Sequence, residues 1–282
     1  MKTIGVIGAG TMGSGIAQVA AAAGFAVIMR DIEEQFVQRG LAAVEKNLAR
    51  DVEKGRKSQA EVEAFRGRIS GTTRLEDLGE VDFVIEAIIE NMAVKRELYA
   101  KLDAICKEET VLASNTSGLS ITEMASATGR PQRVVGMHFF NPVPVMKLVE
   151  VIRGFDTADE VFELTMELSR KMGKEPIAVN EAPLFAVNRI LVPMINEAAF
   201  VLMEGVASAE DIDRGMMLGA NHPIGPLALA DLVGLDVLLA VMETLYCETG
   251  DSKYRPCPLM RKLVRAGHFG RKTGRGFYSY ER

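Results

Sequence analysis

The chain has 282 residues, of which 48% are hydrophobic and 25% are charged, a balance typical of a globular protein with one large or two smaller domains. Its net charge of −5 disfavours nucleic acid as the main partner. No stretch approaches the roughly 20 apolar residues of a membrane span, and the glycine-broken start does not resemble a signal peptide. The three cysteines have neither CxxC nor metal-ligand spacing, so we expect reduced thiols, no metal and a cytoplasmic protein.

The first part of the chain alternates apolar and helical segments. A β-branched run at 3–8 predicts a buried parallel strand, an alanine-rich segment ending near Gly24 predicts a helix, and 25–31 predicts a second strand. This is the order of a βαβ unit. The long polar segment 33–68, interrupted at Gly55, predicts an inserted helical hairpin.

Five more strands are predicted before the pattern changes. Ser120 with Glu123, and Thr157 with Glu160, have the spacing of capping boxes at helix starts. The predicted strands are 81–88, 110–116, 133–139, 146–152 and 176–180, with helices over about 92–106, from 120, and from 157 to about 173.

Strand patterns end near residue 184 and apolar helical segments follow, one of them containing Pro193. We therefore predict an α/β domain at 1–183 and an all-helical domain at 184–282. The richness of the second domain in Leu, Met and Val predicts a homodimer interface there.

The glycines after the first strand favour a dinucleotide site. "GAGTMG" follows a predicted strand and opens a helix, as G-x-G-x-x-G does in a Rossmann-type domain. Asp31 ends the second strand, where a carboxylate binds ribose hydroxyls and repels a 2′-phosphate, which favours NAD over NADP. The neighbouring Arg30 could accommodate a 2′-phosphate and would favour NADP. A dehydrogenase and a non-catalytic dinucleotide-binding regulator both remain open. The predicted cofactor loop comprises Gly8, Gly10, Thr11, Met12 and Gly13.

Three histidines are candidates for the base that hydride transfer from an alcohol requires. His268 lies in a basic C-terminal stretch, and His222 lies in a proline-flanked turn. His138 ends a predicted strand of the α/β domain, where open parallel sheets bind ligands, and Glu150 on the next strand could lie alongside. From the residues alone, a catalytic and a merely packed His138 are equally open.

Five segments resemble the 3-hydroxyacyl-CoA dehydrogenases, and in particular the short, stand-alone bacterial members that act on 3-hydroxybutyryl-CoA. They are "VIGAGTMGSGIAQ", "SNTSGLSITE", "GMHFFNPVPVMKLVEVI", "VNRILVPMINEA" and "GANHPIGPLALADLVGLD". The resemblance covers essentially the whole chain, and its most specific block is "HFFNPVPVMKLVE". It implies a Rossmann-type NAD-binding domain with an inserted helical hairpin, followed by a helical domain that forms a homodimer.

The resemblance also implies an activity, the interconversion of (S)-3-hydroxybutyryl-CoA and acetoacetyl-CoA with NAD. It makes His138 the general base and Glu150 its orienting carboxylate, with Ser117 and Asn188 holding the substrate's oxygens. From the residues, Ser117 could instead cap the next helix. The alternative functions are those of a dehydrogenase of a free hydroxy or sugar acid and of a non-catalytic relative. The residues implied to bind the cofactor are Asp31, Glu90, Lys95, Ser117, Asn141 and Lys272.

The spacing of Glu90 and Lys95, five residues apart, makes an ion pair between them within one helix unexpected. For coenzyme A, the resemblance implies contact with Ser117 and with the hairpin, where Arg50 and Lys54 lie near the phosphates. Residues 45–68 carry seven basic side chains against five acidic ones, which suits a polyanion, although a solvated helix pair has the same composition. The basic residues are Lys46, Arg50, Lys54, Arg56, Lys57, Arg66 and Arg68.

Two positions depart from the family's pattern. Where the family reads "PGFVVNR", this chain reads "PLFAVNR", so Leu184 replaces a glycine and Ala186 a larger residue. Leucine adopts a positive φ less readily than glycine, so we expect the interdomain segment to differ. Gly118 replaces the second serine of "SNTS-S"; because Ser117 is retained, we expect no consequence from it.

Overall fold

The computed structural model describes residues 1–55 and 58–280, apart from the side chains at 61, 64 and 66. The chain divides into two compact units, Met1–Phe185 and Ala186–Arg282. The sequence placed the division after residue 183. An α/β unit followed by a helical unit is the fold class that the sequence predicted, and that prediction is confirmed.

The first unit is built on one eight-stranded sheet in the order β3-β2-β1-β4-β5-β6-β7-β8. All neighbouring strands are parallel except β6 and β7, which are antiparallel. The strands are β1 Thr3–Ile7, β2 Ala26–Arg30, β3 Ile69–Thr72, β4 Phe83–Glu86, β5 Val111–Ser114, β6 Val134–Phe139, β7 Leu148–Arg153 and β8 Glu175–Asn180. The helices are α1 Thr11–Ala22, α2 Glu34–Glu53, α3 Gln59–Arg66, α4 Met92–Ile105, α5 Ile121–Ala125 and α6 Asp159–Lys171.

The strand order creates a crevice at one edge of the sheet. From β1 the chain runs outwards through β2 to β3, then returns to place β4 on the other side of β1. Connections therefore diverge in opposite directions from the carboxyl ends of β1 and β4, the point where open α/β sheets bind ligands. The strands here are apolar and buried, as expected for parallel strands covered on both faces.

The local sequence signals predicted most, but not all, of the helix starts and ends in this unit. Gly24 and Gly55 have φ of 94° and 65° and follow the ends of α1 and α2, as predicted. Ser120 caps α5 by accepting a hydrogen bond from the Glu123 N–H, also as predicted. The second capping box is wrong: α6 begins after Ala158, and the Thr157 hydroxyl instead donates to a strand carbonyl.

Two further differences come from long-range context. Strand β3, within "ISGT", was missed because this polar edge strand lacks an apolar pattern and pairs only with β2. Leu184 was expected to change the segment before the second unit. In the structure it adopts the left-handed conformation, with φ of 60°, and Phe185 follows with φ of 59°.

The regular elements of the second unit, within its described residues, are helices, and isolated β-bridges join Arg275 to Gly270 and Ser279 near its end. Two buried carboxylates organise its turns. Asp213 accepts hydrogen bonds from the N–H groups of Leu227 and Ala228 at a helix start, and Asp231 accepts those of Phe277 and Tyr278. No helix in the described part of the chain has the length and hydrophobicity needed to cross a membrane. The helices are α7 Val187–Met203, α8 Ala209–Gly219, α9 Pro226–Val233, α10 Leu235–Thr249 and α11 Pro258–Arg265.

Candidate active site

His138 and Glu150 lie directly opposite each other on the antiparallel pair β6–β7. Their side chains meet with 2.8 Å between His138 Nδ1 and Glu150 Oε2. The histidine is 4% exposed and the glutamate 0%, so little water competes for this hydrogen bond. A carboxylate accepts, so Nδ1 carries the hydrogen, and the imidazole exchanges protons through Nε2.

Two aromatic rings border the imidazole. The Phe140 ring lies 4.5 Å from the His138 ring, centroid to centroid, and the Phe185 ring lies 5.9 Å from it. Both rings are tilted, so they restrict rotation of the imidazole rather than stack on it. Glu150 and these rings together hold the histidine in one orientation, as a proton-transfer group requires.

A buried ion pair lies at the carboxyl ends of β4 and β5. Glu86 is 0% exposed, and its Oε1 accepts a hydrogen bond from Lys95 Nζ at 2.6 Å. Its other oxygen accepts one from the Ser114 hydroxyl at 2.7 Å. Burial of an ammonium and a carboxylate is tolerated here because each is paired and hydrogen-bonded.

Glu90 connects this ion pair to the loop that carries Ser117. One Glu90 oxygen lies 3.3 Å from Lys95 Nζ; the other accepts hydrogen bonds from the Thr116 hydroxyl and the Ser117 N–H. The ion pair that the spacing made unexpected is therefore present. Glu90 precedes α4 rather than lying within it, so the rule for spacing along one helix does not apply.

The glycine loop has the shape that a dinucleotide requires. Gly8 has φ of 98°, and a Cβ there would overlap the Ala87 carbonyl; one on Gly13 would overlap the Gly8 carbonyl. Gly10 faces open space, with no atom beyond its chain neighbours within 4 Å of where its Cβ would be, and it is the N-cap of α1. A phosphate can therefore approach the free N–H groups of the helix closely.

A cleft of about 410 Å³ continues from this loop. Asp31 lies in it, and its two oxygens accept the N–H groups of Ala9 and Ile32 at 2.7 Å each. Arg30 also lines it and donates to the Thr73 carbonyl. The acidic strand end next to an apolar cleft fits the adenosine half of NAD. The apolar lining residues are Ile32, Leu75, Ala87, Ile88, Ile89, Val94 and Leu98.

Family models match almost the entire chain. Residues 3–182 match the 3-hydroxyacyl-CoA dehydrogenase NAD-binding domain, and residues 185–280 match the C-terminal domain of the same family. The chain belongs to the 3-hydroxyacyl-CoA dehydrogenase family. The predicted family and the predicted cofactor, NAD, are confirmed, and the chain is an oxidoreductase.

Individual members of the family align from end to end. A probable 3-hydroxybutyryl-CoA dehydrogenase of Bacillus subtilis is 58% identical over 100% of this chain and 98% of its own length. A 3-hydroxybutyryl-CoA dehydrogenase of Clostridioides difficile is 52% identical over 99% of both chains. The crystal structure of (S)-3-hydroxybutyryl-CoA dehydrogenase from Ralstonia eutropha superposes with a TM-score of 0.98, at 53% identity and full coverage of both chains.

The remaining predicted residues of this dehydrogenase are distributed over both units. Asn141 is exposed just after β6, before a cis bond to Pro142. Asn188 is the second residue of α7, in the second unit. Lys272 is exposed in the same unit and forms an ion pair with Asp236, at 2.6 Å between Nζ and Oδ1. The cofactor role of Lys272 stays a prediction.

The proposed coenzyme A residues lie at one end of the hairpin. Arg50 is in the last turn of α2 and Lys54 is its C-cap, one helical turn further on, and both side chains are exposed. Both cations are therefore accessible to an anion at this end of the hairpin. Arg56 and Lys57 of the basic cluster lie outside the described residues, as does the side chain of Arg66.

Sequence reasoning missed three residues at this site. Glu86 lies within the apolar strand predicted at 81–88 and is the last residue of β4, and a carboxylate in that position was a usable signal. Asn115, whose side chain accepts the Phe139 N–H at 2.9 Å, likewise follows the next strand. No local pattern places Phe185 against His138, because that contact depends on the path of the chain after β8.

Proposed function

We propose that this family member interconverts (S)-3-hydroxybutyryl-CoA and acetoacetyl-CoA with NAD. The observation that carries the proposal is the buried His138–Glu150 pair on the same sheet as a glycine loop shaped for a dinucleotide. The four-carbon substrate is supported by the names of relatives that are 58% and 52% identical over nearly the whole chain.

In the oxidation, His138 Nε2 accepts the proton of the 3-hydroxyl group. Glu150 accepts the Nδ1 hydrogen throughout and stabilises the imidazolium that forms. The bound NAD supplies the acceptor for the hydride from C3. In the reduction, His138 returns its proton to the forming alkoxide.

Other residues position the reactants. The glycine loop and Asp31 hold the adenosine and phosphate portion of the cofactor. Glu90, Lys95, Asn141 and Lys272 keep the cofactor roles that the resemblance implies. Ser117 and Asn188 keep the roles in holding the substrate's oxygens. A hydrogen-bond donor at the carbonyl oxygen favours the negative charge that develops during reduction.

The direct test is NADH oxidation with acetoacetyl-CoA, run in parallel with acetoacetate. We expect turnover of the thioester and at most a trace with the free acid, because only the thioester carries the coenzyme A phosphates that the exposed cations Arg50 and Lys54 would bind. Equal turnover of acetoacetate would favour a free-acid dehydrogenase. No turnover of either by folded, NADH-binding protein would contradict the proposal.

We further propose a cytoplasmic homodimer that associates through the second unit. Apolar side chains on that unit are highly exposed in the single chain, including Ile190 at 72%, Val206 at 70% and Leu218 at 75%. Such exposure is costly in water unless a partner covers it. The cytoplasmic location is supported by the three cysteines, which are all unpaired thiols.

A further inference from the structure

Leu184 and Phe185 both have left-handed backbone conformations, with φ of 60° and 59°. Glycine adopts this conformation readily, but leucine and phenylalanine do so only when their surroundings hold them there. Both side chains are buried, at 4% and 3% exposed. Packing within the first unit therefore holds this turn against its backbone preference.

The Leu184 side chain sits on Gly118. A Cβ added to Gly118 would overlap the Leu184 Cδ2 methyl group and lie 3.2 Å from Leu184 Cγ. Leu184 thus occupies the space that any side chain at 118 would need. The two departures from the family's pattern, which the sequence analysis treats separately, therefore meet in the structure.

A second attachment lies four residues upstream of Phe185. Glu181 accepts hydrogen bonds from the Ser120 hydroxyl at 2.6 Å and from the Thr122 N–H at 3.2 Å. The segment 181–185 is therefore fixed to the loop 116–122 by a carboxylate at one end and by Leu184 near the other. The Phe185 N–H closes the turn between them by donating to the Ala182 carbonyl.

The two fixed segments carry groups of the active site. The loop bears Ser117, whose N–H is bound by Glu90, immediately before Gly118. The segment ends in Phe185, whose ring borders His138. We propose that Leu184 and Gly118 are a pair of positioning residues, in which the leucine seated on the glycine holds both Phe185 against His138 and the loop that presents Ser117. This inference rests on the proposed function, which gives His138 and Ser117 their roles.

The test is a double-mutant cycle with Gly118→Ser and Leu184→Gly. Gly118→Ser forces Leu184 out of its seat, and we expect kcat with acetoacetyl-CoA to fall about 10- to 100-fold, the effect of a small misplacement of reacting groups. Leu184→Gly frees the turn and lowers kcat similarly. In the double variant the serine has space, so the loss of kcat is smaller than the product of the two single losses. KM for NADH changes less than kcat, because the glycine loop and Asp31 are untouched.

Strictly additive losses of kcat, or wild-type kcat in Leu184→Gly, would overturn the inference. If Gly118→Ser does not fold, Gly118→Ala takes its place in the cycle. The imidazole NMR signals of His138, assigned with His138→Gln, provide a readout independent of turnover. They shift in Leu184→Gly. Wild-type protein without activity would refute the proposed function, whereas unshifted His138 signals would refute the positioning role alone.

Discussion

At the scale of single residues, the pairing register of β6 and β7 determines which side chain lies opposite His138. "MHFFNPVP" alone left His138 open between catalysis and packing, and only the pairing of β6 with β7 puts Glu150 directly opposite it. That pairing could be predicted from two adjacent strands around an Asn-Pro turn. The aromatic contact from Phe185 and the burial of Lys95 between Glu86 and Glu90 could not, because they join segments whose approach is set by the sheet.

Glu150→Gln tests the orienting carboxylate. The amide can still accept the Nδ1 hydrogen, but it no longer stabilises the imidazolium by charge, so we expect kcat to fall by about 10²-fold or more. KM for NADH stays near its wild-type value. The measurement is steady-state NADH oxidation with acetoacetyl-CoA, and the matched control is Glu175→Gln on the exposed strand β8. Equal kcat in both variants would remove Glu150 from the mechanism.

Arg50→Glu with Lys54→Glu tests the coenzyme A contact. Reversal of two exposed charges should raise KM for acetoacetyl-CoA by about tenfold, corresponding to about 1.4 kcal/mol, and leave kcat and KM for NADH unchanged. The difference from wild type should shrink at high salt. Lys171→Glu, which reverses an exposed lysine on α6, is the control. An unchanged KM would place the phosphates elsewhere.

At the scale of elements, the sequence predicted most of the first unit because its strands are short apolar runs separated by helices and punctuated by glycines. The β1–α1–β2 unit and the stops at Gly24 and Gly55 follow from local chemistry. The exceptions are elements that depend on distant partners. Strand β3 forms only because β2 offers it an edge, and Thr157 prefers the Val134 carbonyl to capping α6.

Asp82 joins the start of β1 to the segment before β4, and this contact should depend on pH. Burial acts to raise the pKa of its carboxyl, but the N–H groups of Lys2 and Thr3 and the Lys107 ammonium outweigh it and lower the pKa to about 2. A lowered pKa stabilises the fold above the unfolded value of 3.8, and the contribution is lost as pH falls towards about 2.

We therefore expect the free energy of unfolding of Asp82→Asn to fall less steeply than that of wild type between pH about 4 and about 2. Urea titrations at a series of pH values measure this. Asp156→Asn, at an exposed position, should retain the wild-type slope. Parallel wild-type and Asp82→Asn curves would show that the carboxylate contributes nothing to the folded state.

At the scale of the whole molecule, the two units have different structures and surfaces. The first provides a parallel sheet whose strand order opens a crevice beside the glycine loop. The second is helical and has several highly exposed apolar side chains. The end of the strand patterns predicts a division after residue 183. The contact of Leu184 with Gly118 could not be predicted, because only the fold brings the two segments together.

The proposed homodimer can be tested by light scattering on protein eluting from a size-exclusion column, which should give twice the mass of one chain. Ile190→Glu with Leu218→Glu places charges on the exposed apolar surface of the second unit and should shift the mass towards that of a monomer. Phe155→Glu alters an equally exposed apolar residue, 88% exposed, on the first unit and should leave the dimer intact. A wild-type monomer would contradict the proposed assembly.

We propose that His138 carries the proton between substrate and enzyme, and replacement of its imidazole tests this most directly. The measurement is the rate of NADH oxidation by His138→Gln with saturating acetoacetyl-CoA, beside wild type and His268→Gln, with NADH binding followed by fluorescence. Loss of a general acid–base group should lower kcat by about 10²- to 10⁴-fold while NADH still binds. His268→Gln should turn over at the wild-type rate. A His138→Gln enzyme with wild-type kcat would show that His138 is not the proton carrier.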